Sequence, residues 1–129
     1  MAIQSAAPIP WRLVALAASV GMAVEIVITQ ADQRREAWDS SNYWIFGIPS
    51  MMLASLICGL YARRNSIALG YAPFVGQMVT MMFRAGVGSM LPLGAILIGI
   101  LGLSGVLAAL VGKVIGKRLL TSTAEPASR

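Results

Sequence analysis

Glu25 is the only acidic residue inside an apolar run of this chain, in the stretch LVALAASVGMAVEIVI. A carboxyl group in such surroundings needs a partner, and ionisable residues at membrane depth are candidate functional sites. Arg84 closes another apolar run, and Gln77 and Thr80 precede it on the same helical face. Glu25, Gln77, Thr80 and Arg84 are therefore expected to form one polar cluster, with Glu25 and Arg84 as an ion pair. The competing expectation is a pair that merely locks two helices near the headgroups, or two side chains reaching separately to water.

Positioning such a cluster takes helices that cross a bilayer. Four apolar runs meet that need, at about residues 13–28, 43–61, 67–83 and 91–115. The last, LPLGAILIGILGLSGVLAALVGKVI, would be roughly 37 Å long as a helix, against about 30 Å of hydrocarbon. Residues 1–12 read as an interfacial segment ending in Trp11 and Arg12, and residues 119–129 as a disordered tail. The competing reading of the first run is a signal peptide cut near Gly21-Met22-Ala23. Between the first two runs lies the one sizeable polar loop, TQADQRREAWDSSN, in which Trp38 is expected at the membrane interface. Ser40, Ser41 and Asn42 are suited to cap the helix that follows, as are Asn65 and Ser66 for the next. Pro49 and Pro73 predict local distortion, while Pro92 suits a first turn.

Composition agrees with this architecture. Only 12% of the residues are charged and 57% are hydrophobic, against about 25% charged in a soluble domain. Mean hydropathy is +0.76. The expected fold is an all-α, four-helix, up-down-up-down membrane bundle over residues 13–118. Seven of the ten basic residues (Arg12, Arg63, Arg64, Lys113, Lys117, Arg118, Arg129) then lie on the side of the termini. Arg34, Arg35 and Arg84 lie opposite, beside Asp32, Glu36 and Asp39. By the positive-inside rule both termini are expected in the cytoplasm, with the basic set touching anionic lipid headgroups rather than nucleic acid. A bacterial inner membrane is the expected location.

Small residues recur every fourth position on two helices. Ala68, Ala72, Gly76 and Thr80 form one ridge; Ser104, Ala108, Gly112 and Gly116 form the other. Such ridges let backbones approach closely, and these two helices are expected to pack on each other. Gly102 and Gly105 open further faces of the fourth helix. The sharper expectation is that this helix also packs against a second membrane protein or another copy.

Seven methionines (Met22, Met51, Met52, Met78, Met81, Met82, Met90) map to the middle and one half of the bundle. Thioethers suit Cu(I), but there is no histidine and only Cys58 to support a copper site, so they read as core filler. No metal or cofactor is expected. A single cysteine also excludes an intrachain disulfide.

The segment Glu25-Ile26-Val27-Ile28-Thr29 resembles the glutamate-bearing first helix of small multidrug exporters, which are four-helix proteins of similar length. The resemblance implies a shared proton and substrate site at that glutamate. It ends at Thr29, where the chain turns polar, and the aromatic residues that line the family's pocket are not matched. The positive-inside bias also departs from the dual-topology members. No phosphate loop or nucleophile–base pair occurs in the chain, and little of it lies outside the membrane, so an enzyme is not expected. The leading expectation is an accessory or assembly subunit of a larger membrane complex. The alternative is a small oligomeric transporter or channel using Glu25, Gln77 and Arg84.

Overall fold

The computed structural model describes residues 8–62, 64–86, 88 and 91–124. It is helical throughout, with no strand among the described residues. Helix α1 spans Trp11–Ala31, α2 Tyr43–Ala62, α3 Ser66–Ala85 and α4 Leu91–Thr123, and all four are long and apolar enough to cross a membrane. Met90, Arg63 and residues 1–7 and 125–129 lie outside the described residues.

Two proline distortions are taken up in different ways. Pro49 has no N–H to give to Ile45 and its ring crowds that carbonyl. The turn before it, Tyr43–Gly47, is wound as a wider π-helix, and α2 becomes α-helical from Ile48. In α3, Pro73 leaves the Leu69 carbonyl without its helical donor. The fully buried Ser55 of α2 supplies one, donating from Oγ to Leu69 O at 3.2 Å. A serine on a neighbouring helix thus satisfies what the proline leaves open.

The ends of α3 rest on unusual backbone. Asn65, before its first turn, is left-handed at φ 55°, a conformation asparagine tolerates better than most residues. Gly86 closes the helix at φ 75° and donates its N–H to Met82 O. Glycine pays no Cβ penalty there.

Helix α1 packs mainly on α3, α4 packs mainly on α2, and α3 meets α4 along a third broad interface. Helices α1 and α4 do not meet among the described residues. Helices α3 and α4 do pack on each other, as expected, but the glycines of their two small-residue ridges face other helices. Gly76 lies against the Ala18 backbone of α1, whereas Gly112 and Gly116 lie against the Leu56 and Leu60 carbonyls of α2. Helices α3 and α4 cross instead at Gly70 and Gly105, where a Cβ on either would strike the other's backbone. Spacing every fourth residue identifies a close-packing face but not its partner.

Two further differences concern α4 and the polar loop. The helix continues through Lys117 and Arg118 to Thr123, so Leu119–Thr123 is helical rather than tail. At roughly 50 Å it outruns the hydrocarbon core, and its last turns gain from the high helix propensity of Lys, Arg and Leu. The loop is packed rather than free. It folds back over the bundle, with Ala37 fully buried and Trp38 packed against Gly94 of α4.

Candidate functional site

The core near this loop is built from Ile28, Ala37, Tyr43, Met51, Phe74 and Ile98. Within it lies a chain of three polar side chains from three helices. Tyr43 Oη donates to Gln77 Oε1 at 2.9 Å, and Gln77 Nε2 donates to Glu25 Oε2 at 3.1 Å. Glu25 is 2% exposed, and Gln77 and Tyr43 are fully buried. The backbone N–H of Ala37, on the folded-back loop, also faces the Glu25 carboxylate. A buried amide needs both a donor and an acceptor to be satisfied, and Gln77 finds one on each side.

Arg84 joins the cluster by a different contact from the expected ion pair. Its guanidinium donates to Thr29 Oγ1, which itself donates to Glu25 O, one turn back, at 2.6 Å. Arg84 is exposed, and its charge acts on Glu25 through space rather than by direct contact. The long side chain keeps its head towards water, and Thr29 receives it at the helix end. Thr80 is buried one turn from Gln77 but donates to its own helix, to Gly76 O at 3.0 Å. It lies beside the chain without joining it.

Tyr43 is the member that sequence reasoning missed. In the sequence it stands with Trp44 and Phe46 as the aromatic start of the second span. In the structure its neighbours Trp44, Ile45 and Phe46 are exposed, and Tyr43 alone points inward. The available signal was Gln77: a lone amide deep in an apolar helix demands two partners, and a tyrosine hydroxyl is a suitable second.

The loop above the chain is itself held in place. Asp32, just past α1, accepts hydrogen bonds from the Ser40 hydroxyl and from Asn42 Nδ2, the latter at 3.0 Å to both oxygens. The Ser40 hydroxyl first, then the Asn42 amide, hold the Asp32 carboxyl below its usual range. Trp44 Nε1 donates to Trp38 O at 3.1 Å, tying the loop to the start of α2. Beside this clasp opens a cavity of about 240 Å³, lined by Arg35, Glu36, Met81, Ala85, Gly86, Gly88 and Leu91. Glu36 lines the cavity, and the next residue, Ala37, faces Glu25.

The remaining candidates are dispersed. Met51 and Met81 are buried in the core, while Met22 and Met82 lie on the exposed surface. Among the described residues no cluster of His, Cys, Asp and Glu has metal-binding proximity. Cys58 is buried, its Sγ 3.7 Å from Leu13 O. The predicted packing residues Ala72, Gly76, Gly102, Gly105, Ala108, Gly112 and Gly116 are all buried. Gly102 receives the Tyr71 ring, whose hydroxyl donates to Gly99 O at 3.0 Å.

Comparison of the chain with protein-family models, with curated proteins and with solved structures gave no match.

Proposed function

We propose that this chain is a small integral membrane subunit that docks, within the bilayer, onto a larger membrane protein complex. One observation carries the reading: large side chains fill the space between the helices while the outer surface stays apolar. Tyr43, Met51, Leu69 and Phe74 are fully buried in the interior, beneath the outer surface of the bundle. That surface is apolar on every helix, with Leu16, Leu53, Phe83, Ile96, Leu103 and Leu107 among its exposed side chains. The clasped loop adds a fixed polar face at one end.

The same reading takes the bundle as up-down-up-down with both termini cytoplasmic, in a bacterial inner membrane. Contacts between successive helices support the alternation. Cys58 reaches Leu13 while Gly47 meets Ile28, and Gly70 meets Val106 while Gly94 lies near Met81. The excess of Lys and Arg near the termini supports the orientation. Anionic headgroups at Lys113, Lys117 and Arg118 complete the cytoplasmic face.

A transporter working as an oligomer is the second reading, favoured by the Glu25 chain lying under a cavity with charged walls. Extraction in mild detergent, affinity purification and mass spectrometry separate the two. A subunit co-purifies with a different membrane protein in fixed ratio. Recovery of the chain alone as a homo-oligomer that moves a solute in proteoliposomes would overturn the subunit reading.

A further inference from the structure

Helices α1 and α2 are consecutive, yet they meet less extensively than α1 and α3 do. Along their outer seam two apolar cavities open end to end. The first, of about 290 Å³, is lined by Leu16, Ala17 and Val20 of α1 and by Leu53, Ala54 and Ile57 of α2. The second, of about 280 Å³, begins at the same Val20 and runs past Val24 and Val27 to Ile28, with Gly47 among its α2 residues. Ala17, Ala54 and Gly47 are too small to fill the seam. The polar atoms that line it already have partners: the Ser50 hydroxyl donates to Phe46 O at 2.6 Å, and Cys58 Sγ lies 3.7 Å from Leu13 O. Such walls suit hydrocarbon and would leave a polar solute without hydrogen bonds. From Leu16 to Ile28 the seam is about 18 Å long at the helical rise, close to the roughly 15 Å that one leaflet contributes to the bilayer core.

The two ends of this seam differ in charge. Arg12 stands one turn before Leu16 on the same stripe of α1. Tyr61, 74% exposed, stands one turn beyond Ile57, and Arg64 follows the end of α2. Leu13 and Ala62 pack into the same core cluster, which brings the start of α1 and the end of α2 to one mouth of the groove. Both arginines are exposed. The acids of the described residues (Glu25, Asp32, Glu36 and Asp39) belong to the opposite half of the bundle.

We propose that the α1–α2 seam binds one anionic phospholipid, with an acyl chain in the groove and the phosphate held by Arg12 and Arg64. A guanidinium fork matches phosphate oxygens in geometry as well as charge, and Tyr61 Oη is a further donor at the same level. A second helix laid on the seam would have to bring its own carboxylate to this mouth, whereas the bilayer already presents phosphate at the helix ends. The basic residues Lys113, Lys117 and Arg118 belong to α4, which does not meet α1 among the described residues. The site is therefore separate from the general attraction of that end for anionic headgroups.

The test uses the full chain in mild detergent, mixed with dioleoyl phosphatidylglycerol or dioleoyl phosphatidylcholine, and counts bound lipid per chain by native mass spectrometry. The expected result is a single tightly retained phosphatidylglycerol. Its binding should be about thirtyfold stronger than that of phosphatidylcholine, from roughly fivefold for each arginine. Arg12→Gln with Arg64→Gln, both at exposed positions, should bring phosphatidylglycerol down to the phosphatidylcholine level. Ala54→Leu narrows the groove and should weaken both lipids, with circular dichroism checking that the helices remain. Lys113→Gln with Lys117→Gln should leave the tight lipid in place. Equal retention of the two lipids by the unchanged chain overturns the proposal, as does phosphatidylglycerol binding that survives the arginine changes or the narrowed groove. A lipid-free dimer, or a lipid-free complex with a second protein, that Ala54→Leu takes apart also overturns it, since the seam then holds a helix.

Discussion

The two halves of this bundle are held together by opposite means. Around Glu25 the helices are joined through side chains: Tyr43, Gln77, Thr29 and Arg84 reach across from α2, α1 and α3, under a loop knotted by Asp32. Towards the other end the helices touch backbone to backbone, at Gly59 on Ala109, Gly112 on Leu56 and Gly116 on Leu60. Close backbone contact stabilises by dispersion and by Cα–H contacts, and it tolerates no added atom. A polar network contributes little net stability, but any member left without its partner is expensive. The far end is thus intolerant of volume, whereas the Glu25 end, where Gly21 meets Pro73 and Gly76 meets Ala18, is intolerant of lost partners as well.

The largest predicted effect belongs to the glycine half. A Cβ at Gly112 would fall on the Leu56 carbonyl, which cannot turn aside as a side chain can. Gly112→Leu should cost about 3 kcal/mol or more, at the upper end of overpacking, and separate α4 from α2. Reversible unfolding in mixed micelles measures this. A loss under about 1 kcal/mol would mean that the interface has room which the structure denies.

Gln77→Leu tests the polar half. It leaves Glu25 and Tyr43 buried without each other's bridge, at a cost of about 1–3 kcal/mol. Adding Tyr43→Phe should recover part of that loss, because it removes a hydroxyl left without its acceptor. If the second change makes matters worse, Tyr43 is held by something other than Gln77.

The helices were legible because a membrane span needs only length and apolarity, and all four runs have both. Glu25, Gln77 and Arg84 were legible because polar groups in apolar runs are conspicuous. The rest required the third dimension. Nothing in the spacing of Gly112 says whether it meets α2 or α3, since the face is defined by its smallness alone. Trp38 and Ala37 belong to a polar stretch, and their burial depends on the Asp32 clasp, formed across eight and ten residues. Tyr43 turns inward through a π-wound turn imposed by Pro49, a rotation that regular α-helical periodicity does not anticipate.

Acid offers a milder way to loosen the loop alone. The Ser40 and Asn42 hydrogen bonds hold folded Asp32 below the value of about 3.9 it would have unfolded. The clasp therefore contributes fully above that value and is lost as pH falls through the lower, folded one. Trp38 fluorescence, with Trp11 and Trp44 changed to Phe, should stay constant from neutral pH down to about 3.9 and shift only below it. A shift centred above that value would show that Asp32 does not hold the loop. Asp32→Ala should give the loosened spectrum at neutral pH.

Gly99 gives the smallest effect and the sharpest contrast with Gly112. Both are glycines of α4, yet a Cβ built at Gly99 meets nothing within 4 Å. Its carbonyl accepts from Tyr71 Oη, a contact that needs the backbone and not the absence of a side chain. Alanine in a helix is favoured over glycine by about 0.5–1 kcal/mol in water, and a hydrocarbon surrounding reduces that gain because the backbone bonds are already enforced. Gly99→Ala should therefore be neutral or slightly stabilising in the same unfolding assay, with the Tyr71 bond intact. Equal losses at Gly99 and Gly112 would mean that α4 needs flexibility along its whole length, and close approach to α2 would no longer explain its glycines. A clear loss at Gly112 with none at Gly99 assigns the requirement to the backbone contact itself.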